Sequence, residues 1–159
     1  LESKNWGEFV IAKSFMFYAI LSVATLFISG PIVDKFSSRK ILPLMNIPSL
    51  FAMLILFFSD NYISSYFLLG LMGISNGLAN VLGSSTWAEI YGVKYLGSIK
   101  ALTTSMMVFS TAFGTAIFGI IIDLGYPIET IAMLSFTYII ASNILIVIFK
   151  DDIKPVLAK

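Results

Sequence analysis

Three polar side chains recur at four-residue intervals within one long apolar stretch: Asn76, Asn80 and Ser84. Residues four apart share one face of a helix. An amide or hydroxyl group in apolar surroundings needs a hydrogen-bond partner, so this face should point into protein or into a water-filled cavity. Two interpretations remain open, namely contact with a solute and hydrogen bonding between helices. The nearby Gly73 and Gly77 favour close packing of two helices.

Two further pairs of polar residues show the same helical spacing. Tyr18 and Ser22 are four residues apart and are predicted to face the same cavity. Thr111 and Thr115 are also four apart and are included among the cavity candidates. Threonine hydroxyls often bond to the backbone of their own helix, so helix packing is the simpler interpretation for this second pair.

One short segment combines a carboxylate with three cations. Gly30 is followed by Asp34 and Lys35, and then by the basic pair Arg39 and Lys40. Asp34 is expected near a helix N-terminus, where the helix dipole favours an anion, and the cations are expected to bridge to carboxylates. An ordinary Lys- and Arg-rich loop on the inner side of a membrane is the alternative interpretation.

The sequence lacks the residues that most enzyme chemistry requires. It contains neither His nor Cys, which excludes imidazole catalysis, thiol chemistry and zinc or haem ligation through these side chains. The pattern Gly-x-Ser-x-Gly at residues 73–77 matches that of serine hydrolases, but their motif also needs a histidine base. A net charge of +1 gives no indication of nucleic-acid binding. We therefore expect no enzyme activity, no bound metal, no cofactor and no nucleic-acid partner.

Composition and charge spacing predict the elements that carry these residues. Apolar residues make up 58% of the chain and charged residues 12%, whereas soluble domains carry about 25% charged residues. Asp, Glu, Lys and Arg are absent from five stretches of about the length that a helix needs to cross a bilayer. We predict an all-α integral membrane protein, with residues 1–159 forming a single transmembrane bundle. The predicted spans are residues 10–33, 41–59, 62–88, 101–122 and 128–149.

The cations divide unevenly between the two ends of these spans. Eight lie on one side, and only Lys4 and Lys13 lie on the other. Cytoplasmic loops are enriched in Lys and Arg, so the richer side and the C-terminus are predicted to be cytoplasmic, in a cell membrane (inner or plasma). The eight are Lys35, Arg39, Lys40, Lys94, Lys100, Lys150, Lys154 and Lys159.

Two segments resemble a known family. Residues 30–40 read GPIVDKFSSRK, which resembles the cytoplasmic signature of the major facilitator superfamily: a Gly, an Asp four residues on, a basic residue and then a basic pair. Ser37 stands where that family usually has Gly. Residues 87–100 read WAEIYGVKYLGSIK and resemble the loop between the tenth and eleventh helices of bacterial transporters in the monocarboxylate and oxalate/formate antiporter branch.

The resemblance implies that the chain comprises helices eight to twelve of a twelve-helix transporter. It would then be a partial C-terminal six-helix bundle, without the N-terminal half of the transporter. The resemblance also implies secondary active transport of a small organic solute by alternating access, with a monocarboxylate or similar organic anion as the leading substrate. Helix ten of the family lines the central cavity, which makes Asn76 and Asn80 the best solute candidates. The charged loop would fasten the closed cytoplasmic side and release it as the two halves rock. The implied partners are the lipid bilayer, the solute and the missing half.

One feature departs from the anion carriers of this branch. They place cations within helices eight and eleven, but residues 101–122 carry no charge and Lys13 lies near a predicted membrane edge. A non-transporting multi-pass scaffold or receptor subunit is the alternative function. An intramembrane enzyme is disfavoured, because no ionisable pair lies inside any predicted span.

We predict that the loop containing Arg39 and the loop containing Glu129 lie on opposite sides of the membrane. Cysteines introduced into these loops should react differently with a membrane-impermeant thiol reagent. The Glu129 loop should be labelled in intact cells, and the Arg39 loop only after permeabilisation. Labelling of both loops from the same side would contradict the predicted topology.

Overall fold

The computed structural model describes residues 6–149, and within them the chain is helical almost throughout, without a strand. This confirms the predicted all-α class. The predicted cytoplasmic C-terminus with its three lysines lies outside the described residues, as does Lys4. Short 3₁₀ segments cover Leu42–Leu44 and Val93–Tyr95. The α-helices are α1 (Glu8–Phe36), α2 (Ser38–Ile41), α3 (Ile47–Phe58), α4 (Ser64–Tyr91), α5 (Leu96–Asp123) and α6 (Ile128–Phe149).

Five helical segments are long and apolar enough to cross a membrane. The shortest, Ser38–Phe58, has 21 residues. At about 1.5 Å per residue this segment spans about 30 Å, the thickness of a bilayer's hydrocarbon core. The prediction of five membrane-spanning helices is therefore confirmed for residues 6–149.

α1 and α4 approach each other most closely at two glycines of α4. A Cβ atom added to Gly73 would collide with the backbone carbonyl of Tyr18. A Cβ atom added to Gly77 would lie 2.6 Å from the carbonyl oxygen of Ser22 and 2.8 Å from the Cβ of Thr25. Neighbours that are backbone atoms cannot rotate away, so both positions require glycine. The packing interpretation of these glycines is confirmed.

Small hydroxyl residues continue the contact between α1 and α4 along its length. Ser14 and Ser65 are fully buried, and their hydroxyl oxygens lie 2.8 Å apart in a hydrogen bond. Nearer the middle, Nδ2 of Asn76 donates to the Ser22 hydroxyl at 3.1 Å. Small side chains allow close backbone approach, and polar pairs between membrane helices then add directional bonds. We refer to these contacts, together with the two glycines, as the α1–α4 seam.

The second membrane-spanning segment is interrupted at Met45 and Asn46, between the 3₁₀ turn and α3. Pro48 lies in the first turn of α3, where its missing N–H has no intrahelical partner to lose. Side chains of the neighbouring helices support the interruption. The Ser75 hydroxyl of α4 donates to the Met45 carbonyl, and the Asn46 amide donates to Oδ1 of Asn143 on α6 at 3.4 Å. One carbonyl of this irregular backbone thus accepts a hydrogen bond from a neighbouring helix.

An apolar cluster lies at the end of the bundle where α1 begins and α3 ends. The indole of Trp6 is 2% exposed, and its Nε1 donates to the carbonyl of Asp60 at 2.9 Å. This bond ties the segment before α1 to the turn between α3 and α4. The other buried members of the cluster are Ala52, Met53, Leu56, Leu68 and Ala132. By contrast, α5 buries none of its residues against the described chain.

We predict that Gly73→Ala destabilises the protein by about 1–3 kcal/mol, because the added methyl group forces the α1 and α4 backbones apart. Gly83→Ala is the matched control, since Gly83 lies on the same helix with nothing within 4 Å of an added Cβ. It should be neutral or slightly stabilising. Thermal unfolding in detergent measures both, and equal melting temperatures for the two variants would contradict the assigned role of Gly73.

Candidate functional site

The end of α4 and the start of α2 meet through one carboxylate, that of Glu89. Ser37 Oγ donates to Glu89 Oε2 at 2.9 Å, and the backbone N–H of Ser38 donates to Oε1 at 2.8 Å. Arg39 Nε lies 3.5 Å from Oε2. Hydrogen bonds to an ionised acceptor are about twice as strong as neutral ones. We call these four residues the Glu89 latch.

Ser37 holds an unusual backbone conformation within this latch, with φ 67° and ψ 136°. It is the one non-glycine residue with positive φ among residues 6–149. An L-residue in such a conformation costs about 1–3 kcal/mol, which glycine would not incur. The next residue, Ser38, is fully buried and accepts a hydrogen bond from Thr86 Oγ1 at 3.0 Å. The contacts around Ser38 therefore hold Ser37 in its strained conformation.

The expectation for Asp34 is wrong in one respect. The carboxylate lies in the last turn of α1 and is exposed, because α1 continues through Pro31 as far as Phe36. The acidic group at the start of α2 is supplied by Glu89 instead. The pairing expected for the basic residues is present at Arg39, which lies against Glu89.

A cavity of about 670 Å³ opens beside the latch. It brings together four of the five predicted loop residues, Asp34, Lys35, Arg39 and Lys40, with Glu89. The fifth, Gly30, is not part of the lining. The cavity therefore carries charges of both signs at one end of two membrane-spanning helices.

The polar row on α4 lies on an open face beside α1. Asn76 and Asn80 are exposed, and Ser84 is half-buried. The Asn80 amide donates to the Asn76 carbonyl at 2.9 Å, and the Ser84 hydroxyl donates to the Asn80 carbonyl at 3.1 Å. Tyr18 is half-buried on α1, where its backbone touches Gly73. The structure thus places Asn76 against α1 through Ser22, and it gives Asn80 a hydrogen bond only within α4.

The two threonines on α5 form no hydrogen bond with the polar row on α4. Thr111 donates to the Met107 carbonyl and Thr115 to the Thr111 carbonyl, each at 2.8 Å. Both side chains are exposed. Their hydroxyl protons are used within their own helix, so each presents acceptor lone pairs outward.

Sequence reasoning missed the central member of the latch. Glu89 carried a signal, since it is the first charged residue after 28 uncharged ones, residues 61–88, and its end of the span lies on the same side as Arg39. The pairs Ser14–Ser65 and Asn46–Asn143 had no such signal, because their members are 51 and 97 residues apart in sequence. Within residues 6–149, no three of His, Cys, Asp and Glu gather as metal ligands.

We predict that Glu89→Gln opens the latch, because the variant loses the charge and one of two strong acceptors, worth about 1–2 kcal/mol. A cysteine at Ser85, which lines the cavity, can report this change, since the 159 residues contain no cysteine of their own. The labelling rate of Ser85→Cys should rise about 5- to 30-fold with Glu89→Gln. It should stay unchanged with Asp123→Asn, the loss of an exposed carboxylate that does not line the cavity. An unaltered rate with Glu89→Gln would remove the latch assignment.

Comparison with known proteins supports the family-level resemblance. The sequence profile of the Major Facilitator Superfamily matches residues 2–158. No curated protein and no solved structure matches the chain. The profile match covers nearly every residue, and the helical architecture with five potential spans agrees with it. The chain therefore belongs to the Major Facilitator Superfamily, whose members are multi-pass membrane proteins that transport solutes.

Proposed function

We propose that the chain forms part of a secondary active transporter that moves a small organic solute by alternating access. The observation that carries the proposal is a polar, accessible row on a membrane-spanning helix of a chain that belongs to a transporter family. Amide groups at this depth need water, protein or a solute as partners. A missing N-terminal half of the same transporter would supply the opposite wall of the cavity.

Asn76, Asn80 and Ser84 are the proposed solute contacts on α4, with Tyr18 beside them on α1. The seam supports this assignment, because the hydrogen bond from Asn76 to Ser22 fixes one amide against a rigid helix pair. A fixed amide can select a solute by geometry, since little rotational freedom is lost on binding. Thr111 and Thr115 are proposed as contacts from α5.

A monocarboxylate or similar organic anion remains the leading substrate, on the resemblance of residues 87–100 to the monocarboxylate and oxalate/formate branch. The proposed contacts on α1, α4 and α5 are all uncharged. Neutral donors such as the remaining amide N–H groups and the Tyr18 hydroxyl would bind the anion, or cations would come from the other half.

The Glu89 latch is the proposed conformational switch, together with Gly30, Asp34, Lys35 and Lys40. Its bonds join the start of α2 to the end of α4 across a cavity of mixed charge. Such a contact stabilises one arrangement of the loop, and its release would accompany rocking of the two halves. We propose that this side and the C-terminus face the cytoplasm, in a cell membrane, because the cations are concentrated on this side.

The test is uptake by the full-length protein in liposomes, with labelled monocarboxylates, oxalate and an uncharged polyol as candidate solutes. Asn80→Ala should raise KM about tenfold, the equivalent of one lost hydrogen bond to a solute. Asp34→Asn should lower the maximal rate and leave KM unchanged, since the residue belongs to the switch loop.

Thr137→Val is the matched control, because Thr137 lies on α6, away from the proposed contacts on α1, α4 and α5, and its hydroxyl donates to the Met133 carbonyl of its own helix at 2.9 Å. It should transport as the unmodified protein does. Unchanged uptake in both Asn80→Ala and Asp34→Asn would remove the site assignments. Absence of uptake for every solute would favour the scaffold or receptor alternative.

A further inference from the structure

We infer that Ser37 is a strained switch residue, which stores backbone strain while the Glu89 latch is closed and relaxes when the latch opens. The inference deepens the proposed role of the charged loop and rests on it. It starts from a backbone outlier, the positive φ of 67° at a residue that carries a Cβ. Strained residues of this kind persist only where surrounding contacts impose the conformation.

The contacts that impose the conformation all lead to one carboxylate and one buried neighbour. Both oxygens of Glu89 are engaged by consecutive residues, Oε2 by the Ser37 hydroxyl and Oε1 by the Ser38 N–H. In the closed latch Ser38 is fully buried and accepts a hydrogen bond from Thr86. On the other side, the Ser37 N–H still donates to the Val33 carbonyl at 3.0 Å, so α1 holds the preceding peptide. Ser37 is therefore held at both ends.

Ser37 makes two opposing contributions to the same equilibrium. Its Cβ raises the free energy of the closed latch, because the backbone conformation is unfavourable for an L-residue. Its hydroxyl lowers that free energy by donating to an ionised carboxylate. When Glu89 withdraws, the loss of the hydrogen bond and the relief of the backbone strain occur together. The loop then has two arrangements of comparable free energy, which is the property a switch requires.

Two substitutions separate these contributions. Ser37→Ala removes the hydroxyl and keeps the strain, so it should open the latch most. Ser37→Gly removes both and restores the residue that tolerates positive φ, so it should close the latch again in part. A purely structural role of the Ser37 side chain would give the opposite order, since glycine adds backbone freedom to the open loop.

The measurement is hydrogen exchange of the Ser38 amide in the full-length protein in detergent, expressed as a protection factor. Ser38 is the direct reporter, because its N–H is bound by Glu89 when the latch is closed. Protection should fall about tenfold in Ser37→Ala, as expected for a lost charge-assisted hydrogen bond. Protection in Ser37→Gly should exceed that of Ser37→Ala by at least about threefold, after the entropic effect of glycine.

Two results would overturn the inference. Protection in Ser37→Gly equal to or below that in Ser37→Ala would show that no strain is stored. Unaltered protection in Ser37→Ala would show that the hydroxyl does not hold the latch. In a Glu89→Gln background the difference between the two variants should disappear, and a difference of the same size there would show that the strain is not linked to Glu89.

Exchange in the peptide around Gly73 and Gly77 is the control for folding. If Ser37→Ala lowers protection there as well, the comparison of Ser37→Gly with the unmodified protein decides whether strain is stored at Ser37. Protection in Ser37→Gly within about threefold of the unmodified protein supports compensation between the strain and the hydrogen bond. A tenfold loss of protection in Ser37→Gly contradicts it. Uptake measured on the same variants separates the two hypotheses. If the order of protection is as expected but uptake is identical in all variants, the proposed role of the loop in transport is contradicted. The inference about strain at Ser37 is then still supported.

Discussion

At Gly73 and Gly77 the backbones of α1 and α4 come so close that neither position has room for a methyl group. Other contacts between these two helices lie on either side of this close approach. The hydroxyls of Ser14 and Ser65 meet in the buried interior, and at the far end of the same helices Glu89 lies beside the residues that follow α1. Because lipid supplies no hydrophobic force between helices, close packing and directional bonds of this kind hold such a bundle together.

The two proposed parts of the mechanism therefore depend on the same helix pair. Asn76 bonds to α1 near the middle of the seam, and Glu89 bonds to the residues following α1 at its end. A tilt that moves α1 and α4 as a unit would displace both places together. This gives the solute row and the latch a physical connection through contiguous packed helices, which is a condition for coupling between separate sites.

Features that depend on local sequence were predictable, and features that depend on distant pairing were not. The spans follow from long stretches without charge, and the glycine contact follows from two small residues one helical turn apart. The partner of Arg39 lies 50 positions away, and its only sequence signal is the position of Glu89 at the end of a span on the same side. The placement of Asp34 was wrong because α1 does not end at residue 33, where the predicted span ended, but continues to Phe36.

The resemblance to the superfamily was specific enough to identify the family, because it rested on residues that set a loop conformation. Ser37 illustrates why: it stands where the family usually has glycine, and its positive φ is a conformation that glycine tolerates. The substrate branch rests on similarity alone, because substrate choice depends on side chains in the cavity and not on this loop geometry.

The short stretch from Gly73 to Gly77 directs adjacent residues of α4 to different neighbours. Its two glycines lie against α1, Ser75 bonds to the interrupted segment before α3, and Asn76 bonds to Ser22. Successive residues point about 100° apart around a helix axis, so a roll of α4 by even a fraction of that angle would break all of these contacts together. Any movement of α4 relative to its neighbours should therefore keep its rotation about the long axis fixed and proceed by tilting with α1 as a unit.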